Sequence, residues 1–420
     1  MTRPFFDALE QRDPADRERA HMAALPAVVQ HAQTHAPAMA GLLQGVNASA
    51  VNSRAALARL PVIRKSELLA LQMKQREPGG NGDVFGGFSA VAFGSAMPRV
   101  FSSPGPMYEP EGTRADYWRM ARALYAAGFR AGELVHNCFS YHFVPAGSMM
   151  ESGALALGCT VFPGGTGQTE QQAQAMAQLR PSGYIGTPSF LRLILEKASE
   201  LNLPLPSIKK ALLSAEAFPP SLRDWLAERG IAGYQCYGTA DLGLIAYETE
   251  AREGLVLDEG VIVEIVRPGT GDPVPEGEVG ELVVTTLNPV YPLVRFGTGD
   301  LSAVLPGTCP TGRTHTRIKG WMGRADQTTK VRGMFVHPAQ IAEVVRRFPE
   351  VLRARLVVSG EMANDYMTLR LETQSVDPSL AERAGEAVRD ITKLRGTIEL
   401  VSAGSLPNDG KVIEDARTYQ

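Results

Sequence analysis

The stretch Tyr237-Gly238-Thr239-Ala240-Asp241 follows a short run, Gly233 to Cys236, that we interpret as a β-strand. Three further short stretches come after it along the chain: Thr298-Gly299-Asp300, Gly323-Arg324-Ala325-Asp326 and Gly410-Lys411. Each stretch alone is a weak signal, because an acid between glycines and a lysine near a terminus are common in turns and on surfaces. Their order and separation along one chain are more informative than any one of them.

Short apolar strands alternate with helices upstream of this stretch. The expected strands are Leu134 to Cys138, Thr160 to Phe162, Tyr184 to Gly186 and Ala211 to Leu213. The expected helices between them are Glu170 to Leu179 and Phe190 to Leu201. This alternation predicts an α/β fold with a doubly wound sheet covered on both faces. In such sheets ligands bind at the carboxyl ends of the strands.

The flanking regions have different patterns. Residues 14 to 72 read as helices, with Pro14 in a first turn, and we interpret them as a packing layer. Two β-rich runs, Val261 to Val266 and Glu281 to Thr286, predict an antiparallel hairpin in a β-rich subdomain. From about 327 a small α+β unit is expected, with elements at Ala339 to Phe348, Leu352 to Val358, Met367 to Glu372, Leu380 to Lys393 and Thr397 to Val401. The predicted domains are therefore 1–325, large and of mixed sheets, and 326–420, small and of α+β type.

The composition is that of a globular protein with more than one domain, but it does not indicate a function. A chain of 420 residues exceeds one ordinary core. Its formal charge of −3 gives no general attraction to nucleic acid or to an anionic membrane. Cys138, Cys159, Cys236 and Cys309 form no CxxC pair, so we expect buried free thiols. No signal peptide and no apolar run long enough to cross a bilayer is found, and the expected location is the cytoplasm.

Four side chains have the right chemistry for a nucleotide-dependent activation of a carboxylate, and each has an ordinary alternative. Asp300 could accept the ribose hydroxyls, or it could be the acid of a Gly-flanked turn. Lys411 could bridge phosphate and carboxylate oxygens, or it could be a solvated terminal lysine. Tyr237 could stack on adenine, or it could be a core tyrosine. Asp241 could hold Mg²⁺, or it could be a helix N-cap.

The whole chain resembles the phenylacetate-CoA ligase family, a branch of the adenylate-forming (AMP-binding) superfamily. The resemblance is carried by the four stretches above together with Phe6 to Pro14, Leu57 to Leu68, Thr187 to Leu191, Ser214 to Glu216, Gly271 to Leu287, Arg332 to Pro338 and Leu406 to Lys411. It implies the fold described above and a reaction that uses ATP, Mg²⁺, coenzyme A and a small-molecule carboxylic acid.

Roles follow from the resemblance residue by residue. The implied nucleotide site consists of Ser214, Ala215, Glu216, Tyr237, Gly238, Thr239, Asp300 and Arg324. Lys411 would be the adenylation lysine, with Asp241 as a second catalytic residue and a Mg²⁺ ligand. Asp326 would be the hinge of the mobile domain. The loop residues Tyr141, His142 and Phe143 would border the acyl pocket, and an aromatic pair there suits a planar aryl acid.

The chain departs from the family at its phosphate loop, which is normally rich in Ser, Thr and Gly and ends in Gly-Lys. The matching stretch, Ser102 to Pro110, keeps Ser102, Ser103 and Gly105 but has no threonine and no lysine. Its prolines also remove N–H donors, and each lost charge-assisted contact weakens phosphate binding by about 1.5–3 kcal/mol. Glu109 would repel polyphosphate unless a metal lies between them. Thr249 and Thr311 stand where some relatives have zinc-binding thiolates, so we expect no zinc.

The favoured interpretation is an AMP-forming carboxylate–CoA ligase acting on an aryl or arylacetic acid. One alternative is an adenylating enzyme with a carrier-protein thiol or an amine as the acceptor. Another is a non-adenylating binder of nucleotide or acyl-CoA whose phosphate loop has degenerated. A homodimer is expected by analogy only.

Overall fold

Helix α1 (Pro14–His35) illustrates how the sequence specifies the N-terminal layer. Asp13 caps it, since its carboxylate accepts hydrogen bonds from the backbone N–H groups of Ala15 and Asp16. Pro14 occupies the first turn, where its missing N–H costs nothing. Leu25 and Val29 lie on the helix face that is completely buried. The predicted helical packing layer is confirmed.

The computed structural model describes residues 4–266, 271–325, 329–361, 364–374, 377–407 and 412–417. The chain forms two units, Met1–Gly323 and Arg324–Gln420. In the described part of the first unit, helices α1 to α9 span Pro14–His35, Pro37–Leu42, Arg54–Leu57, Lys65–Arg76, Met120–Ala126, Ala146–Ala156, Thr169–Leu179, Pro188–Glu200 and Pro220–Ala227. Short 3-10 helices span Ala8–Gln11 and Ala48–Ala50. Strands β1 to β15 span Ile63–Arg64, Arg99–Ser103, Met107–Glu111, Leu134–Asn137, Thr160–Pro163, Gly183–Gly186, Lys210–Leu213, Ala232–Thr239, Gly243–Glu248, Leu255–Leu257, Val261–Val266, Gly280–Thr286, Phe296–Ser302, Val304–Leu305 and Arg317–Ile318.

A nine-stranded mixed sheet with the order β14-β15-β10-β9-β8-β7-β6-β4-β5 dominates this unit. Strands β4 to β8 run parallel to their neighbours, and β9 then pairs antiparallel with β8. Helices connect the parallel strands, so the predicted α/β class and the alternation of strands and helices are confirmed, with element ends shifted by one or two residues. Because parallel strands share a direction, their carboxyl ends lie along one edge.

A second sheet has the order β1-β13-β12-β11. The predicted hairpin is confirmed, with Val261 opposite Thr286 in an antiparallel register. A buried ion pair supports this sheet, since Arg295 Nε donates to Glu264 Oε2 at 3.0 Å. The same guanidinium also donates to the carbonyl oxygens of Ala58 and Gly271, both at 2.8 Å. Arg295 thus fixes the entry to β13 against the N-terminal layer.

The second unit is the α+β structure that the sequence predicts. Its described helices α10 and α11 span Pro338–Arg346 and Pro378–Thr392, and its strands β16 to β21 span Thr329–Val331, Met334–Val336, Val351–Glu361, Asn364–Thr373, Thr397–Ser402 and Ile413–Asp415. Strands β16 and β17 pair with each other, and the other four form a sheet in the order β20-β19-β18-β21. Apolar residues such as Val344, Leu369 and Val388 form its own core.

Two predictions about the chain as a whole can be compared with the structure. All four cysteines are buried and free, as expected. Among the described residues, no helix combines the length and apolar character needed to cross a bilayer.

Candidate active site

The carboxyl edge of the parallel strands carries most of the predicted site residues. Ser214 follows β7, and Tyr141 to Phe143 lie in the loop after β4. Strand β8 corrects one expectation, because it extends to Thr239 and therefore contains Tyr237, Gly238 and Thr239. Pairing with β9, with Thr239 opposite Gly243, extends it beyond the predicted end at Cys236. Asp241 lies in the turn between β8 and β9, so the alternative that it caps a helix is wrong.

Asp300 accepts a hydrogen bond at each carboxylate oxygen. The Tyr237 hydroxyl donates to Oδ2 at 2.6 Å, and Trp321 Nε1 donates to Oδ1 at 3.1 Å. Asp300 is only 9% exposed, and its position on β13 brings the second sheet against β8 of the first. Carboxylate oxygens accept hydrogen bonds from hydroxyl groups, so a buried and oriented carboxylate is chemically suited to the hydroxyls of a ribose.

Trp321 was missed in the sequence analysis. It lies beside the Gly323 to Asp326 stretch, but nothing in the residue pattern connects its indole to Asp300, which is 21 positions earlier. Trp321 is 44% exposed, although its N–H is hydrogen-bonded. An exposed indole and the half-buried Tyr237 ring therefore flank the same carboxylate.

The segment predicted to line the adenine slot follows β7. Ser214 Oγ donates to the carbonyl oxygen of Cys236 at 2.8 Å, which ties the segment to β8. Ala215 has a left-handed backbone with φ of +69°. Glu216 is exposed, and its Oε2 accepts a hydrogen bond from Ser189 Oγ at 2.5 Å. The segment is anchored next to Tyr237, and its role in nucleotide binding stays a prediction.

The stretch that matches the phosphate loop is a tight hairpin. Strands β2 and β3 pair from Arg99–Glu111 to Ser103–Met107, and the turn between them holds Gly105 at φ of +151°. Gly105 is exposed, Ser102 is half-buried and Ser103 is buried. The hairpin is joined to the predicted acyl loop, since the backbone N–H of Ser102 donates to the carbonyl oxygen of Phe143 at 2.8 Å.

Lys65, the first residue of α4, supplies a cation next to Asp241. Its Nζ lies 2.9 Å from Asp241 Oδ2, and the carboxylate is buried while the ammonium is partly exposed. Lys65 lies within the Leu57 to Leu68 stretch that resembles the family, but the sequence analysis gave it no role. The hairpin has lost its lysine, and Lys65 offers a positive charge from a different element.

Glu109 on β3 is the second carboxylate of this region and is 2% exposed. Burial raises the pKa of Glu109 to about 8, with the charge of Asp241 adding to the rise and Lys65 and Ser103 opposing it. Both Glu109 oxygens and Asp241 Oδ1 are buried and make no hydrogen bond of normal geometry to any residue that the structure describes. Carboxylate oxygens are ligands that suit Mg²⁺, so the unpaired oxygen of Asp241 fits the ion that the resemblance implies, and its binding there stays a prediction.

The three residues predicted to border the acyl pocket do not behave as one group. Tyr141 is half-buried, and its hydroxyl donates to Glu151 Oε2 at 2.7 Å and accepts from Asn137 Nδ2 at 2.8 Å. His142 is exposed, and Phe143 is 82% exposed at φ of +61°. Tyr141 is therefore held by structural hydrogen bonds, whereas Phe143 presents its ring to solvent. Their role in acid binding stays a prediction.

Two predicted residues, the hinge Asp326 and the adenylation lysine Lys411, lie outside the described residues. Arg324 is described and belongs to the second unit. At the position where the resemblance implied that some relatives bind zinc, Cys309 Sγ lies 3.4 Å from Thr249 Oγ1 and 3.1 Å from Thr311 Oγ1. Two hydroxyls thus stand beside the thiol, and the absence of zinc there stays a prediction.

A cluster of His21, Glu259 and His315 has potential metal-ligand atoms within 4.8 Å of one another. Arg17 Nε already donates to both Glu259 oxygens, at 3.0 and 3.1 Å. A metal ion would add two further positive charges beside this buried guanidinium, at a high desolvation cost. We therefore regard the cluster as structural.

Known proteins are similar to this chain in sequence and in fold. The sequence profile described as AMP-binding enzyme matches residues 113–288. The phenylacetate-coenzyme A ligase of Thermus thermophilus is 34% identical over 280 residues, which cover 64% of this chain and 62% of that protein. The enzyme of the same name from Aromatoleum evansii is 30% identical over 345 residues, which cover 78% of this chain and 75% of that protein.

A solved structure of 2-hydroxyisobutyryl-CoA ligase with 2-HIB-AMP and CoA has a TM-score of 0.82 and 26% identity, and the alignment covers 98% of this chain and 92% of that one. The matched region of this chain spans 62% of the length of the Thermus protein, which is less than two thirds. It spans 75% of the length of the Aromatoleum protein. The chain belongs to the phenylacetate-coenzyme A ligase family of AMP-binding enzymes.

Proposed function

We propose that the protein is an AMP-forming carboxylate–CoA ligase that activates an aryl or arylacetic acid. The observation that carries the proposal is the Asp300 carboxylate, held at both oxygens by Tyr237 and Trp321. A carboxylate that is already oriented loses less conformational freedom when a ligand binds, which favours recognition of ribose hydroxyls. The names of the relatives, which are phenylacetate-coenzyme A ligases, support the choice of an arylacetic acid.

The proposed reaction has two steps. A carboxylate oxygen of the acid attacks the α-phosphorus of ATP, and the bond from that phosphorus to pyrophosphate breaks. The thiolate of CoA then attacks the acyl carbon, and the bond to AMP breaks, which releases the thioester and AMP. Mg²⁺, when bound, would neutralise charge on the phosphates, and Asp241 is a residue that would hold it.

The residues of this chain contribute binding and charge. Asp300 would fix the ribose, with Tyr237 against the base and Ser214 to Glu216 beside it. Lys65 would place an ammonium near the phosphates, since it already lies beside Asp241. Lys411 would stabilise charge on the phosphate and carboxylate oxygens during adenylation, and Asp326 would be the hinge that exchanges Lys411 for the CoA site.

Pyrophosphate release from the purified chain with ATP and Mg²⁺ tests the proposal. The panel of acids should include phenylacetate, benzoate and 2-hydroxyisobutyrate, since a structural relative is named for the last of these. We expect release with an aryl or arylacetic acid and a CoA thioester as product. The Lys411→Ala variant should lose adenylation far more than thioester formation from supplied acyl-adenylate, and an equal loss in both half-reactions would contradict the role of Lys411.

A non-adenylating binder is the second candidate, and the hairpin without threonine or lysine is the observation that favours it. It predicts that AMP or acyl-CoA binds while no acid supports pyrophosphate release. Mass spectrometry of the products would distinguish CoA from a carrier-protein or amine acceptor. We also propose a cytoplasmic location and, by analogy, a homodimer, which the mass in solution would test.

A further inference from the structure

The side chain of Arg119 is bonded to the turn between β8 and β9. Arg119 directly precedes α5, and its Nη2 donates to the carbonyl oxygens of Leu242 at 2.7 Å and Leu244 at 2.9 Å. Its Nε donates to Asp258 Oδ1 at 2.6 Å. Asp258 lies in the loop between β10 and β11. One guanidinium therefore joins the start of a helix to segments that follow 123 to 139 positions later along the chain.

The ion pair between Arg119 and Asp258 is buried. The Arg119 side chain is 12% exposed, and that of Asp258 is 1% exposed. The backbone N–H of Gly260 donates to the same Oδ1 at 2.9 Å, and Arg122 Nε lies 3.5 Å from Oδ2. Both oxygens of Asp258 are thus held in place. Because a guanidinium is planar, a fixed carboxylate at its Nε also fixes the direction in which its other N–H groups donate.

The backbone next to the Arg119 side chain contacts the same turn. The N–H of Leu244 donates to the carbonyl oxygen of Trp118 at 2.9 Å. Gly243 has φ of +73°, and a Cβ at this position would lie 2.8 Å from the Trp118 carbonyl oxygen, so a larger residue does not fit. Arg119 itself has a left-handed backbone with φ of +66°, which is uncommon for a residue other than glycine. Close approach of the two backbones therefore adds to the contacts of the guanidinium.

Asp241 lies in the turn that Arg119 holds. The carbonyl oxygen of the next residue, Leu242, accepts from Arg119, and the Leu242 N–H donates to Thr239 Oγ1 at 3.1 Å. The Asp241 side chain is buried, and its Oδ2 lies 2.9 Å from Lys65 Nζ. A side chain that acts in a site must be held within about 0.5 Å of its working position by the residues around it. Arg119 restrains the backbone after Asp241, whereas Lys65 contacts the carboxylate itself.

We propose that Arg119 is a positioning residue for Asp241, which acts by fixing the turn after β8 and not by touching the reactants. The inference rests on the proposed function, because that function gives the Asp241 carboxylate its chemical role. The substitution Arg119→Lys would keep the positive charge beside Asp258. A single ammonium could not keep the planar geometry with which the guanidinium serves Asp258 and two carbonyl groups. The substitution therefore loosens the turn without leaving a buried carboxylate unpaired.

Two measurements on the full chain test the positioning role. Hydrogen exchange should become faster at the amides of Leu242 and Leu244 in Arg119→Lys, because both amides lie in the turn that the guanidinium restrains. The Mg²⁺ concentration that gives half-maximal pyrophosphate release should rise about tenfold, since residues that orient a metal ligand affect metal affinity to this degree. The affinity for AMP, measured by calorimetry, should stay unchanged, because Asp300 lies on β13 of the other sheet.

Arg130→Lys is the matched control. Arg130 is half-buried, and its Nη1 donates to the carbonyl oxygens of Tyr125 and Phe129, both at 2.7 Å. The same substitution there should leave the Mg²⁺ dependence and the exchange at the turn as in the wild type. Thermal unfolding establishes that both variants are folded. Gly243→Ala disturbs the contact from the side of the turn and should shift the Mg²⁺ dependence in the same direction as Arg119→Lys.

Unchanged exchange at the turn in Arg119→Lys, or an unchanged Mg²⁺ dependence, would contradict the positioning role. Asp241→Asn separates this outcome from a failure of the proposed function. A shift in Mg²⁺ dependence in Asp241→Asn but not in Arg119→Lys would overturn the inference and leave the proposed function standing. Absence of pyrophosphate release by the wild type with every acid would instead contradict the ligase, and the exchange measurement would still decide whether Arg119 holds the turn.

Discussion

Asp300 shows how a single carboxylate depends on neighbours from other parts of the chain. The Gly-flanked motif identifies the acid from sequence, but its orientation comes from Tyr237 and Trp321. The motif could be recognised because its residues are contiguous. The contact between Asp300 and Trp321 could not be predicted, because it forms only when β13 and the segment after β15 approach each other in the folded chain. The role of Lys65 could not be predicted from the sequence for the same reason, because its partner Asp241 is 176 positions away along the chain.

Replacing Trp321 with Phe tests the orientation of Asp300. The ring remains, but the N–H that donates to Oδ1 is lost, and a hydrogen bond to a charged group contributes about 1.5–3 kcal/mol. We expect the affinity for AMP, measured by calorimetry, to fall about tenfold, with a rise in the KM for ATP larger than the fall in kcat. Trp225→Phe, at a half-buried tryptophan that packs over Arg229, is the control. An unchanged affinity for AMP in Trp321→Phe would contradict the positioning role.

At the scale of the elements, the sequence predicted which segments are helices and which are strands. It predicted the first and last residues of these elements less accurately. Short apolar runs located β4, β6 and β7, and two β-rich runs located the β11–β12 hairpin, because most residues of these strands are buried. The predicted end of β8 was wrong because pairing with β9 continues the strand through Tyr237, Gly238 and Thr239. Gly238 interrupts the sequence pattern there, since glycine is depleted in strands. The Arg295–Glu264 ion pair could not be read from the pattern, since it joins β13 to β11 and to the loop before β1.

Arg295→Leu should destabilise the first unit strongly. Glu264 would be left as a buried carboxylate without its cation, a change that costs about 3–5 kcal/mol. Urea denaturation followed by circular dichroism measures the effect. The double variant Arg295→Leu/Glu264→Leu removes both charges and should recover part of the loss. If the double variant is as unstable as the sum of the two single variants, the charges do not interact and the explanation fails.

At the scale of the whole molecule, the α/β class, the β-rich subdomain and the C-terminal α+β unit could all be predicted from the sequence. Buried polar groups could not, because burial results from packing between distant segments. His315 is an example, since it is 8% exposed and neither ring nitrogen makes a hydrogen bond of normal geometry to a described residue. Burial lowers the pKa of His315 well below its usual value, and the charges of Arg17, His21 and Arg54 add to the effect.

The contribution of His315 to the stability of the protein should therefore fall in mild acid. Above about pH 6.5 the imidazole is neutral in both the folded and the unfolded chain. Below that pH the unfolded chain takes up a proton that the buried ring does not, so His315 alone costs about 1.4 kcal/mol at pH 5.5. Urea denaturation at pH 7.5 and 5.5 should show a smaller loss in His315→Asn than in the wild type. The exposed His35→Asn control should keep the full loss, and equal pH dependence in all three proteins would contradict the prediction.

The hydrogen bond between Ser102 and Phe143 has a consequence for protein engineering. One backbone link joins the turn assigned to phosphate with the segment assigned to the acid. Replacing the turn between β2 and β3 with a glycine-rich turn that contains a lysine would change the binding of ATP. It would also change the geometry of the hydrogen bond from Ser102 to Phe143. Evolution of this enzyme toward new acids would therefore proceed through paired changes in both segments, and libraries that vary only one of them would sample few productive combinations.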